Sequence, residues 1–207
     1  MSTDSPKYLR LYRMAERLHG PGFQATLWSS RASQRIRFEV LAETYPLAGL
    51  RVLDAGCGLG DLLAFLEEVG QAPAGYVGVD ALAQVIAEAR RRTFATPAEF
   101  HLGDLIAQPD LLATGAPEVI VISGTLNTLE AEQFFAVLDR AFQAASRCVL
   151  FNFLSTHHAP MHPAGDGTIR RVDPVEVFEH GLRLTRQIIV RHDYYEGHDC
   201  TMAWIKT

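Results

Sequence analysis

The chain has 207 residues, enough to bury the core of one domain with short appendages. Its residues are 48% hydrophobic and 21% charged with a net charge of -5, an ordinary balance for a soluble globular protein that gives no overall reason to expect nucleic-acid or membrane binding. No apolar run approaches the ~20 residues of a membrane span, the opening "MSTDSPKYLRLYRM" lacks a signal-peptide core, and Cys57, Cys148 and Cys200 form no CxxC pair; a reduced cytoplasmic setting is expected.

Lys7–Leu18 and Ala32–Thr44 read as helices separated by "HGPGF". A regular alternation then begins. Arg51–Asp54 is a short apolar strand ending in an acid. Asp61–Val69 follows as a helix with Leu62, Phe65, Leu66 and Val69 on one face, started by a carboxylate and stopped at Gly70. Tyr76–Asp80 is a strand and Ala83–Arg92 a helix, whose Arg90, Arg91 and Arg92 read as a solvated face. Glu99–Leu102 is a weaker strand, and Glu118–Ser123 ("EVIVIS") a strong one. Glu130–Ala145 places Phe134, Leu138, Ala141, Phe142 and Ala145 on one helical face, and Cys148–Leu154 ("CVLFNFL") is the fifth strand. The His-, Pro- and Gly-rich "STHHAPMHPAGDGT" reads as a loop. A helix is expected from Asp173 to His180, then strands Thr185–Tyr194 and Cys200–Lys206, joined at "YEGHD" and paired antiparallel.

Short apolar runs separated by helices imply parallel strands covered on both faces. The expected fold is α/β: a Rossmann-like doubly wound seven-stranded sheet, mostly parallel with an antiparallel C-terminal strand, plus N-terminal helices. The expected organisation is a helical lid over 1–48 and a single globular unit over 49–207.

The stretch "VLDAGCGLGD", Val52–Asp61, carries the chemistry. A nicotinamide or flavin fingerprint needs G-x-G-x-x-G, but the sixth position counted from Gly56 is Asp61. The spacing is G-x-G-x-G, with Asp54 two residues upstream. A carboxylate beside the turn repels a pyrophosphate and suits a ligand that carries positive charge.

The stretch resembles the first motif, D-x-G-x-G-x-G, of the class I S-adenosylmethionine (SAM)-dependent methyltransferases. The resemblance continues in order through "YVGVD", "FHLGD", "VIVISGTLN" and "VLFNFL", and covers most of Arg51–Leu154. It implies SAM as methyl donor and S-adenosylhomocysteine as product. Gly56, Gly58 and Gly60, with Ala55 and Cys57 between them, would let the backbone approach the cofactor. Asp54 would lie near the methionyl part, and Asp80 would accept from the ribose hydroxyls. Ala81 and Leu82 would pack on adenine. Asp104 would accept from the adenine amino group with Leu105 against the ring. Ser123 and Gly124 would pass the methionyl group.

The acceptor end is less marked. "SGTLN" departs from the Asn/Asp-Pro-Pro-Tyr of many enzymes that methylate nucleobase or glutamine amino groups. Thr125 and Asn127 could hydrogen-bond a substrate, and Asn127 could equally cap the helix beginning near Glu130. Ser123 and Asn152 are poor substitutes for the acids of metal-dependent catechol-type enzymes, so no metal is expected. In "WSSRASQRIRF", Arg37 could pair with the SAM carboxylate, with Arg31 as a rival, while Gln34 and Trp28 could close over the site. Amphipathic packing with exposed arginines is the alternative. Among the late histidines, His157 and His158 are candidate general bases, since their loop leaves the carboxyl edge of the sheet.

The expected activity is in-line transfer of a methyl group from SAM to a small-molecule acceptor by a monomer or homodimer. The alternatives are an aminopropyl transferase of the same fold, for which "SGTLN" lacks the acids, a SAM-binding sensor or partner subunit without turnover, and a protein or nucleic-acid methyltransferase.

Overall fold

The computed structural model describes residues 5–159 and 169–207. The expected loop residues 160–168, with His162, lie outside the described residues.

The chain forms helices α1 (Arg10–His19) and α2 (Arg31–Thr44), then strand β1 (Arg51–Ala55), α3 (Asp61–Glu68), β2 (Gly75–Asp80), α4 (Ala83–Ala89), β3 (Ala98–Leu102), β4 (Val119–Ile122), α5 (Ala131–Ala144), β5 (Cys148–Leu154), α6 (Pro174–Gly181), β6 (Gln187–Arg191) and β7 (Asp199–Ile205). The strands make one seven-stranded sheet in the order β3-β2-β1-β4-β5-β7-β6. β1 through β5 pair in parallel, and β7 runs antiparallel between β5 and β6. The strand order reverses between β1 and β4. At such a point two crossovers leave in opposite directions and open a crevice at the carboxyl ends of the strands.

The unbroken apolar runs of the central strands follow from cover on both faces. Along β4, Ile120 and Ile122 enter one core cluster with Phe134, Leu138 and Trp204, while Val119 and Val121 enter the other with Phe38, Leu62 and Leu66. β5 does the same, sending Val149, Phe151 and Phe153 one way and Cys148 and Leu150 the other. Every position of β4 is buried, and each such side chain is worth about 1.5–3 kcal/mol of burial.

Element ends differ from the sequence reading where side chains intervene. α4 stops at Ala89, not Arg92, where the backbone tightens to i→i+3 bonds, Arg91 N–H to Glu88 and Arg92 N–H to Ala89 at 3.0 and 3.1 Å, and the Arg90 guanidinium turns back to the Phe100 carbonyl at 2.7 and 2.9 Å. β6 begins at Gln187 because Thr185 donates to the Ile205 carbonyl at 2.6 Å and accepts from the Gln187 N–H. A 3-10 turn over Lys7–Leu9 precedes α1. α2 packs into the core through Phe38, Leu41 and Ala42. The cover over the carboxyl edge comes from the residues before it together with Gln34 and Phe38 of α2.

Candidate active site

The crevice at the strand ends is a cleft lined by the turn after β1, the ends of β2, β3 and β4 and the N-terminal segment. The glycine turn forms its floor. β1 ends at Ala55, the chain reverses, and α3 starts at Asp61. Gly56 has φ +88°, and a Cβ there would fall 1.9 Å from Thr125 Oγ1, so both conformation and space require glycine. Its N–H donates to the Val79 carbonyl at 2.8 Å, which ties the turn to β2.

Asp80 ends β2 and faces the cleft. One carboxylate oxygen accepts from the Gly58 N–H and the other from the Leu82 N–H, both at 3.0 Å. Burial raises its pKa against the pull of these bonds. Asp54, at the end of β1, accepts from the Tyr76 hydroxyl. Burial pushes its carboxyl up to about 7, partly opposed by that bond. Asp104 follows β3. Its Oδ1 accepts from the N–H groups of Ile106 and Ala107 at 3.0 and 3.3 Å, and its Oδ2 accepts from the Tyr8 hydroxyl at 2.9 Å. Three strand ends thus bring three carboxylates to one cleft. Ala55, Cys57, Gly58, Ala81, Leu82, Leu105, Ser123, Gly124 and Thr125 line it with them. Cys57 is buried and its thiol is held protonated, its pKa raised by burial and by the nearby carboxylates.

Gly124 is positioned by its neighbours. Its N–H donates to Asn152 Oδ1 at 3.0 Å, and Asn152 Nδ2 donates to Ser123 Oγ at 3.1 Å. Trp28 lies against it, since a Cβ at Gly124 would fall 2.8 Å from the indole. Gln34 reaches the cleft wall and donates to Asp61 Oδ2 at 3.3 Å. Asp61 is neutralised by Arg92 at 2.6 Å, so this part of the arginine cluster is an internal counter-ion rather than only a solvated face.

Four residues expected at the site lie elsewhere. Arg37 is buried away from the cleft, and its guanidinium grips Asp199 in a bidentate pair at 2.8 and 2.6 Å and donates to the Ser33 carbonyl at 2.7 Å. It stacks between Trp28 and Tyr195, 5.0 Å from each ring. Its contact with the cleft is therefore indirect, through Trp28. The rival Arg31 lies over the Phe23 ring and 4.0 Å from Asp61. Asn127 neither faces the cleft nor caps α5. Its Oδ1 accepts from the Leu154 N–H at 3.0 Å, and the cap of α5 is Glu130 with Gln133. His157 pairs with Asp173 at 3.3 Å beyond the end of β5, and His158 Nδ1 lies 2.8 Å from the Ala159 carbonyl oxygen. Neither histidine lines the cleft.

The sequence reading missed Tyr8 and Tyr12. Both line the cleft from the N-terminal segment, and the Tyr12 hydroxyl donates to the Gly124 carbonyl at 3.2 Å. Their four-residue spacing, one helical turn, was the available signal. Among the described residues, no Lys, Arg or His lines the cleft, and its acidic side chains are Asp54, Asp61, Asp80 and Asp104, of which Asp61 is paired with Arg92.

A family model described as "Methyltransferase domain" matches residues 52–147, the segment that carries β1 to the end of α5. The solved magnesium protoporphyrin IX methyltransferase of Synechocystis PCC 6803, with SAM bound, superposes with a TM-score of 0.66 at 14% identity, covering 100% of both chains. An O-methyltransferase family protein of Burkholderia thailandensis gives 0.72 at 16% identity, over 97% of this chain and 66% of that one. A SAM-dependent methyltransferase of Archaeoglobus fulgidus gives 0.64 at 15%, over 94% and 99%. The chain has the class I SAM-dependent methyltransferase fold. No curated protein matches it. Within this fold the cleft lies where the matched segment ends its strands, and the three carboxylates that converge there fit a cofactor rich in donors and positive charge. Among the described residues, no group of three or more His, Cys, Asp or Glu side chains is placed to hold a metal ion.

Proposed function

We propose that the protein transfers a methyl group from SAM to a small-molecule acceptor. The observation that carries this reading is the convergence of Asp54, Asp80 and Asp104 on one cleft floored by the Gly56 turn. Asp80, held at the end of β2 by the N–H groups of Gly58 and Leu82, is placed to accept from the paired hydroxyls of a ribose. Asp54 supplies negative charge near the ammonium of the methionyl group. Gly124, held by Asn152 and Tyr12, offers backbone where the methyl group would face the acceptor.

The transfer needs little from side chains. The acceptor's lone pair attacks the methyl carbon in line, the carbon–sulfur bond breaks, and its electron pair returns to sulfur to give S-adenosylhomocysteine. The leaving group is already activated by its charge. The protein's share is to hold acceptor and methyl in line and exclude water. No histidine among the described cleft residues offers a general base. That favours an acceptor nucleophilic without one, or one that passes its proton to solvent.

Titration with SAM tests the donor half, and methyl transfer from labelled SAM into a fractionated metabolite extract tests the acceptor half. Binding with no transfer to any fraction would replace this reading with that of a SAM-binding sensor.

A further inference from the structure

We propose that the outer face of α1 docks the protein on an anionic lipid surface.

The charge of the chain is unevenly spread. Lys7–His19 holds four cationic side chains, Lys7, Arg10, Arg13 and Arg17, against one acid, Glu16, a net +3 in a chain whose total is -5, so the remainder carries -8. At about 100° per residue, Arg13, Arg17, Arg10, Met14 and Leu18 follow one another around the helix in a single arc of about 140°. Arg10, Met14, Arg17 and Leu18 are exposed and Arg13 is half-buried. The opposite side faces the protein, with Ala15 buried and Tyr12 lining the cleft. Glu16 lies outside the arc, with one carboxylate oxygen buried away from water. Among the described residues, no carboxylate forms an ion pair with the three arginines, whereas Lys7 is neutralised by Glu130.

The apolar members of the arc decide between polyanions. Leu18 is 69% exposed and Met14 47%, side by side and flanked by cations. On a lipid surface the guanidinium groups reach headgroup phosphates, while their stems and the Met14 and Leu18 side chains enter the boundary between headgroups and acyl chains. A nucleic-acid backbone would engage the arginines alone and leave both apolar side chains in water. The -8 on the rest of the chain is repelled by an anionic surface, so the molecule approaches it with α1 first. Docking would bring lipid to the outer side of the cleft's cover, because Tyr12 on the inner side bonds the Gly124 carbonyl at 3.2 Å. This surface is independent of what the cleft binds.

The test is co-sedimentation of the intact protein with phosphatidylcholine vesicles, with and without about one-third phosphatidylglycerol. Wild type should bind the anionic vesicles at least about tenfold more tightly than the neutral ones, and about 0.5 M salt should release it. Replacing Arg10 and Arg17 together by Gln should weaken binding about tenfold, and replacing both by Lys should leave it at the wild-type level. Met14→Ser with Leu18→Ser should weaken it about fivefold. Unchanged melting temperatures would show that these losses are not unfolding. No binding, equal binding to the two vesicle types, or full binding by the glutamine or the serine variant would each overturn the proposal. Release from the vesicles by duplex DNA at equal phosphate concentration would assign the face to nucleic acid and overturn it as well.

Discussion

Gly56→Ala is the sharpest probe of the turn. An alanine at φ +88° sits in the left-handed half of conformational space, at a cost of about 1–2 kcal/mol. Its Cβ would also lie 1.9 Å from Thr125 Oγ1, 3.0 Å from Thr125 Cβ and 3.1 Å from Cγ2. Thr125 must rotate or move. Overpacking of this kind costs about 1–3 kcal/mol, and rotation gives up the 3.0 Å bond to the Ala55 carbonyl, worth about 1 kcal/mol. The whole should come to about 3–5 kcal/mol. The steric share can be isolated. In a Thr125→Ala background the hydroxyl and methyl are gone, so the same glycine substitution should cost about 2 kcal/mol less. Urea unfolding of wild type, both single variants and the double variant measures that coupling. Equal costs of Gly56→Ala in the two backgrounds would refute the collision argument and leave backbone conformation as the whole effect.

Asp54 should make stability fall with rising pH. Its carboxyl is raised from 3.8 to about 7 in the folded protein, so the folded state holds the extra proton between those values. Stability attributable to it is greatest below pH ~4, is lost through pH ~7, and changes by up to about 4 kcal/mol; Asp54→Asn should flatten that window in denaturant titrations at successive pH values, and an unaltered slope would show that Asp54 ionises normally. Arg37→Met should cost up to about 3–5 kcal/mol, because it leaves Asp199, which is 1% exposed, with His198 in place of its bidentate arginine partner. The folded fraction should still bind SAM within about threefold, whereas a tenfold loss of affinity without loss of stability would return Arg37 to the cofactor. The double variant His157→Ala, His158→Ala should keep methyl transfer to extract within about twofold; a drop on the hundredfold scale of a lost general base would restore one of them to that role.

Much of the fold was legible because its signals are local. The apolar period of β4 and β5, the glycine after β1 and the acids at three strand ends all lie within short windows, and the seven-stranded sheet follows from their order. The convergence of the three acids on one cleft was legible for the same reason. Asp54, Asp80 and Asp104 each end or follow a strand of the parallel sheet, and parallel strands deliver their C-terminal residues to one edge. The misplacements share a different cause. Arg37 read as a cation in search of an anion, which it is, but its partner Asp199 lies 162 positions away at the start of β7. Asn127 read as a polar residue after β4, and its partner is the backbone of β5. A side chain's type announces what it needs; which group supplies it is settled by tertiary contact.

Tyr8 and Tyr12 show how that limit bears on the acceptor. The proposed donor side of the cleft is built on strand ends, where position follows from periodicity. The opposite wall is built from the N-terminal segment, where Tyr8, Tyr12 and Trp28 meet residues 96 to 112 positions away, as in the bonds to Asp104 and Gly124. Nothing in the spacing of that segment fixes the distance between its aromatic rings and the sulfonium. Yet those rings, with Gln34 and Thr125, bound the space beside Gly124 into which an acceptor must fit. On the proposed function, acceptor choice would be written in how the N-terminal segment seats on the sheet, and substitutions there should alter which compound is methylated while leaving SAM binding at Asp80 and the glycine turn unchanged.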